Sequence, residues 1–266
     1  MGQFTSTPDA AANLATLQRQ SRKAAASGAG LIVFPEAAMY DWRADAAEVA
    51  AAAQSSGARF ADDLSRIAAD AGIAIVAGGF VPSGGPTPFN RMLAVDAAGQ
   101  PMGQYDKLHL YDAFSYRESE KVQPAQVRDD MSELTVIELG GFRFGLLNCY
   151  DLRFPEMARA LIQAGADSLI ISSAWVAGPH KELHWETLLR ARAIENTCYV
   201  LASNQPPPFS VGLSMIVDPM GLPAATVTES EGIALARITR ARLDEVTAVV
   251  PSVSQRRYAI VPADRT

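Results

Sequence analysis

Cysteine is scarce. Two in 266 residues, Cys149 and Cys198, cannot build a disulfide framework, and both sit in apolar contexts that fit a reducing cytoplasm. Histidine is almost as rare, with His109, His180 and His184 the complete set. Long apolar runs are missing too: nothing approaches the ~20 residues of a membrane span, so no membrane partner is expected. The opening "MGQFTSTPDA" has neither the basic start nor the apolar core of a secretion signal. "MGQF" superficially opens like a myristoylation signal, but nothing else supports a lipid anchor. Positive charge is also short. Lys and Arg number 23 against 29 Asp and Glu, giving a net charge of −6 and a pI near 5.1. That balance argues against a broad phosphate-binding surface, and so against a nucleic-acid partner. The Gly-rich pieces "AGGF" and "SGGPTP" lack a following Lys-Ser/Thr or helix start, so no nucleotide cofactor is expected. What remains is a soluble cytoplasmic protein.

What is present is an ordinary globular composition, 48% hydrophobic and 20% charged, long enough to bury a core without staples. Helix and strand patterns alternate along the chain without a linker or repeat, so residues 1–266 read as a single domain. Residues 9–27 predict an amphipathic helix, stopped by Gly28 and Gly30. "LIVF" is a short buried strand closed by Pro35. A helix over 58–70 leads into the strand "IAIVAGGFV". Two ribbons follow, "NRMLAVDAAGQPMGQYDK" and "LTVIELGGFRFGLLN", each turning at glycine. Next come a helix over 155–164 with proline in its first turn, the strand "SLIISSAWV", a helix over 181–196 and the strand "CYVLASN". "GLSMIVDPMGLPAATVTES" predicts a hairpin and "GIALARI" a final strand. At the start only "GQF" precedes Thr5, where this pattern expects a full buried strand. Either that strand is stunted or residues are missing from this version of the sequence.

Three polar residues stand where apolar runs end: Glu36 after "LIVFP", Lys107 after "PMGQYD", and Cys149 after "FRFGLLN". Singly, each has a bland reading as a solvated carboxylate, a surface lysine or a core thiol. Together they compose a reaction centre. A thiol with a pKa near ~8.5 is mostly protonated at neutral pH. A carboxylate can take its proton as a carbonyl or nitrile carbon is attacked. An ammonium can stabilise both thiolate and oxyanion, and the Tyr150 N–H can add a second oxyanion donor if the chain turns sharply there. Trp175 follows a strand on the same presumed side, where it would line the substrate pocket or fill the core. In "HKELH", His180 and His184 share a helix spacing, but a zincin needs glutamate directly after the first histidine and Lys181 stands there. No metal is expected. Arg190 and Arg192 are two apart and point to different sides of their helix, which favours separate salt bridges. Cys198 has no acid or base nearby in sequence and reads as core.

"VFPEAAM", "YDKLHLYD" and "NCYDLRFPE" resemble, in order and spacing, the motifs of the nitrilase superfamily of carbon–nitrogen hydrolases. The likeness runs through "SAWVAGPHKELHWETLLRARAIENTCYV" to "GLSMIVDPMG". It implies a four-layer α-β-β-α sandwich, an α/β fold of two mixed sheets flanked by helices, with Glu36 as general base, Lys107 as oxyanion stabiliser and Cys149 as nucleophile. "YRES" resembles the segment carrying a second active-site glutamate, here Glu118. The resemblance favours the amidase branch, near ω-amidase and deaminated-glutathione amidase, acting on a small amide. An N-carbamoyl-amide hydrolase comes next, then a nitrilase. It also implies a homodimer formed through the helices over 155–164 and 181–196, with Met157, Leu161, Leu188 and Leu189 as apolar contacts. Asn148 stands where the superfamily usually carries an apolar residue. "SEKVQPAQ" lacks the usual Pro-Gly, and "NQPPPFSVG" is short and stiffened by proline.

Overall fold

The computed structural model describes residues 1–263. Two sheets laid face to face form the centre of the fold. The first contains β2 (Leu31–Val33), β3 (Ala74–Val81), β4 (Phe89–Val95) and β5 (Pro101–Asp106), in that order. β2 and β3 run parallel, and β3–β4–β5 form an antiparallel meander. The second holds β8 (Val136–Leu139), β9 (Phe142–Asn148), β10 (Ser168–Ser172), β11 (Tyr199–Ser203), β12 (Ser214–Val217) and β13 (Pro223–Val227), again in chain order across the sheet. Its β9–β10–β11 centre is parallel and its flanks are antiparallel. Two short ribbons complete the strands, β1 (Gly2–Gln3) with β14 (Gly232–Ile233) and β6 (Asp112–Ala113) with β7 (Tyr116–Arg117).

Period-two alternation builds the layers. On β3, Val76 faces Met92, Ala94 and Leu146 between the sheets, whereas Ile75 and Ala77 face outward with Leu17 and Leu64. Those two leucines belong to helices α1 (Ala10–Ala26) and α3 (Phe60–Ala71), which cover the first sheet together with α2 (Ala46–Ser55). The Asp9 carboxylate caps α1 by accepting from the N–H groups of Ala11 and Ala12. On the opposite side, α4 (Pro155–Gln163) and α5 (Lys181–Asn196) cover the second sheet with Met157, Leu161, Trp185 and Leu189. Gly145 makes the α4 contact possible: a Cβ there would lie 2.9 Å from the Leu161 Cβ. The result is the expected four-layer α-β-β-α sandwich. Among the described residues, no helix is long and apolar enough to cross a membrane.

Several elements differ from the sequence expectation. "SLIISSAWV" stops being a strand at Ser172, because Ala174 turns its N–H toward Glu36. "GIALARI" pairs only over Gly232–Ile233, since its partner β1 offers two residues. α2 and α6 (Arg240–Val249) were not foreseen; an Asp45–Glu48 capping box and a Thr239 cap start them. Met157, Leu161 and Leu189 are buried within the protomer rather than displayed for a partner; on α5 the large apolar side chains left exposed are Leu183 and Ile194.

Candidate active site

The polar cluster is assembled from strand ends. β2 gives way at Pro35, and Glu36 follows with Ala37 at φ 54°. This elbow lies hard against β3 at Gly78, where a Cβ would sit 2.8 Å from the Glu36 Cα; only glycine permits that approach. Lys107 directly follows β5, its N–H bonded to the Asn90 carbonyl at 3.0 Å. Cys149 directly follows β9 at φ 48° and opens one turn of 3₁₀ helix, Cys149–Arg153. A positive φ at a non-glycine residue costs of order 1–3 kcal/mol and persists only where neighbours hold it. Here Asp151 holds it. Its carboxylate accepts the Asn148 N–H at 2.8 Å and is itself fixed by the Tyr105 hydroxyl at 2.7 Å and the His109 N–H at 3.1 Å. The charged residues after the cysteine thus organise the turn that presents it.

Lys107 is the hub of the cluster. Its Nζ donates to Glu36 Oε1 at 2.7 Å and to both Glu118 oxygens at 3.0 and 2.8 Å. Glu118 is buried at the start of the 3₁₀ turn Glu118–Glu120 and also accepts the Tyr111 N–H at 2.7 Å. The second Glu36 oxygen accepts the Ala174 N–H at 2.9 Å. Asn90, on β4, donates to Glu36 Oε1 at 2.8 Å and to Glu118 Oε1 at 2.9 Å.

Burial and neighbours divide the ionisation. Burial alone would raise the Glu36 pKa, but the Lys107 charge and hydrogen bonds from Lys107, Cys149 and Ala174 bring it below its ordinary value. Glu118 goes the other way: burial and the charge of Glu36 raise it against the pull of Lys107. Lys107 loses to burial yet is held strongly protonated by Glu118 and Glu36. The Cys149 thiol is pushed far up, by burial first and then by Glu36. The resting site therefore holds a neutral thiol beside an ionised carboxylate, with an ammonium alongside.

Glu36, Lys107, Glu118, Cys149, Tyr150 and Trp175 line one pocket with about 40 Å³ of free space. Trp175 lines this pocket while buried in the core, and its Nε1 donates to the Lys181 carbonyl at 3.1 Å. Cys198 lies apart in the core, its Sγ 3.7 Å from the Arg192 carbonyl. Arg190 and Arg192 make separate salt bridges, to Glu186 and Glu195. His180 sits at the left-handed start of α5, while the His184 Nδ1 lies 3.4 Å from an Arg153 nitrogen. Among the described residues, no three metal-ligating side chains converge.

Sequence reasoning missed Asn90, Arg153 and Lys181, which also line the pocket. The signal for Asn90 was a polar residue inside the apolar strand "FNRMLAV". Arg153 lies within the cysteine motif, and Lys181 stands in "HKELH" where a zincin would carry glutamate. The Lys181 ammonium donates to the Tyr111 hydroxyl at 3.1 Å and lies 3.7 Å from the Phe114 ring centre. The Arg153 guanidinium lies 4.7 Å from the Trp175 ring centre, with its Nε buried and unbonded. Among the described residues, neither cation pairs with a carboxylate.

A family model described as carbon-nitrogen hydrolase matches residues 1–248. The chain belongs to that family, within the nitrilase superfamily, and is a hydrolase acting on C–N bonds. It is similar to the deaminated glutathione amidase of Escherichia coli O157:H7, at 41% identity over 180 residues; these are 67% of this chain and 66% of the relative. The human protein of the same name is 34% identical over 268 residues, covering 96% of this chain and 80% of its own. A solved amidase variant from Nesterenkonia sp. AN1, with acrylamide added at its active-site cysteine, matches at 25% identity and a TM-score of 0.75, covering 94% of this chain and 96% of that one.

Proposed function

We propose that this protein is a thiol amidase that hydrolyses a small amide bearing a carboxylate, with Cys149 as nucleophile. One observation carries the mechanism: Cys149 stands on a strained strand-end turn beside an ionised Glu36, with the Lys107 ammonium at 2.7 Å from that carboxylate. Glu36 accepts the thiol proton as sulfur attacks the amide carbon. Lys107 and the Tyr150 N–H stabilise the oxyanion. Glu36 then returns the proton to nitrogen, the C–N bond breaks, and ammonia leaves a thioester. Water, deprotonated by Glu36, adds to that thioester; the C–S bond breaks, the thiol regains its proton, and the carboxylic acid departs. Glu118 does not exchange protons with substrate. It holds Lys107 in place. The cysteine adduct in the Nesterenkonia amidase supports the same role for Cys149.

The substrate class rests on Lys181 and Arg153. Two cations that line a pocket without a carboxylate partner favour a ligand that brings one. The relatives named deaminated glutathione amidase support the same choice. The work takes place in the cytoplasm, where the two thiols stay reduced. Ammonia release across matched amides, ureides and nitriles, each with and without a distal carboxylate, tests the proposal. Carboxylate-bearing amides should turn over fastest; preference for a ureide, a nitrile or a neutral amide would refute it.

A further inference from the structure

Asn148 is an amide in a strand that is otherwise apolar toward its end, and it is fully buried. Its Nδ2 donates to the Asn90 Oδ1 at 2.9 Å, while its own Oδ1 is buried without a partner. An apolar side chain of the same size would leave no such orphan. Something at this position therefore needs the donor.

What needs it is Asn90. The Asn90 Nδ2 spends its two hydrogens on Glu36 and Glu118. Its Oδ1 must then face away from both carboxylates, and it faces Asn148. If the Asn90 amide turned over, its oxygen would confront two carboxylate oxygens and its NH₂ would confront the NH₂ of Asn148. Asn148 cannot turn over either, because its oxygen would then oppose the Asn90 oxygen. The two amides lock each other in one orientation.

We infer that Asn148 is a positioning residue, acting through Asn90 to hold the carboxylates of Glu36 and Glu118 in register with the adjacent Cys149. The inference rests on the amidase reading above for its consequence in turnover. The turn that carries Cys149 is held by Asp151 through the Asn148 backbone N–H, which substitution of the side chain leaves in place. Glu36 is faced by Lys107 from the end of β5, Cys149 from the end of β9, Glu118 from the 3₁₀ turn and Tyr116 from β7. Beside these, Asn90 adds an uncharged donor whose aim another side chain sets.

The experiment uses Asn148→Leu and Asn148→Asp, each alone and in an Asn90→Ala background. Two readouts are taken: amide turnover, and the pH dependence of Cys149 alkylation by iodoacetamide. A hydrogen bond to the charged form of a carboxylate favours that form, so weakening it moves the acid limb to higher pH. With Asn148→Leu, kcat should fall roughly 10- to 100-fold, as for a misplaced reacting group, while KM changes little. Its alkylation limb should shift upward, and Asn148→Asp, which when ionised also sets a negative charge against the Asn90 oxygen, should shift it further. In the Asn90→Ala background neither substitution should add to the loss. Unchanged kcat and alkylation limb in Asn148→Leu would overturn the inference, as would losses that add fully to that of Asn90→Ala. If Asn148→Leu fails to fold, the aspartate carries the same test. Alkylation needs no amide substrate, so an enzyme inactive on every amide would refute the amidase reading while this test still decides the role of Asn148.

Discussion

Substituting the two buried carboxylates one at a time separates their roles. Glu118 accepts four hydrogen bonds that a glutamine cannot all accept: two from Lys107, at 3.0 and 2.8 Å, one from the Tyr111 N–H at 2.7 Å and one from the Asn90 Nδ2 at 2.9 Å. Glu118→Gln keeps one oxygen and turns an NH₂ toward a donor. Losing one hydrogen bond to a charged group is worth about 1.5–3 kcal/mol, or roughly 10- to 150-fold if that energy orients Lys107 in the transition state. Cys149 keeps its base, so acylation should persist at a reduced rate. Glu36→Gln removes the proton acceptor itself. General acid–base catalysis typically contributes ~10²–10⁴-fold, and with the thiol pushed far up by burial there is no resting thiolate to compensate. This variant should not acylate measurably. Rapid-quench single-turnover kinetics, with the acyl-enzyme followed by intact mass, distinguishes the two. If Glu118→Gln equals wild type in both acylation and turnover, Glu118 has no part in the site.

Cys149→Ala should abolish turnover and Cys198→Ala leave it nearly intact; alkylation should label Cys149 much faster, although both thiols are buried, because only Cys149 has Glu36 beside it. Lys181→Met should raise KM for carboxylate-bearing amides roughly 10- to 100-fold, the range for a lost charged hydrogen bond, with neutral amides little affected; equal loss on both would remove Lys181 from recognition. Burial, then Arg153, lowers the Lys181 pKa, so the ammonium is lost earlier as pH rises and KM for such amides should climb on the alkaline side. Exposed Leu183 and Ile194 on α5, with Met220 and Leu222 in the β12–β13 turn, offer an apolar face for a second copy. Light scattering should find at least a dimer, and a stable monomer at micromolar concentration would refute it.

The sandwich was legible because its strands are short apolar runs and its helices carry caps and glycine stops that act locally. The strand-end placement of Glu36, Lys107 and Cys149 was legible for the same reason: each polar residue interrupts an apolar run. Less legible were features that depend on contacts across the fold. The strand after Ser172 ends early because Ala174 serves Glu36, 138 residues away, and no periodicity in "SLIISSAWV" records that. Met157 and Leu161 were expected at a subunit face, yet their own sheet buries them; an amphipathic helix shows that a partner exists without saying which. Lys181 and Arg153 meet only because α5 and the turn after Cys149 approach one another around Trp175. α2 was overlooked because its alanine-rich run has little apolar contrast, although its capping box was visible in "DAAE".

The central claim is covalent: an acyl group passes through the Cys149 sulfur. Intact-mass spectrometry of enzyme quenched during turnover of a carboxylate-bearing amide, with peptide mapping and hydroxylamine treatment, tests it directly. The expected adduct equals the amide's mass less ammonia, lies on the Cys149 peptide, is removed by hydroxylamine and is absent from Cys149→Ala. Sustained ammonia release by Cys149→Ala, or an adduct on any other residue, would contradict it.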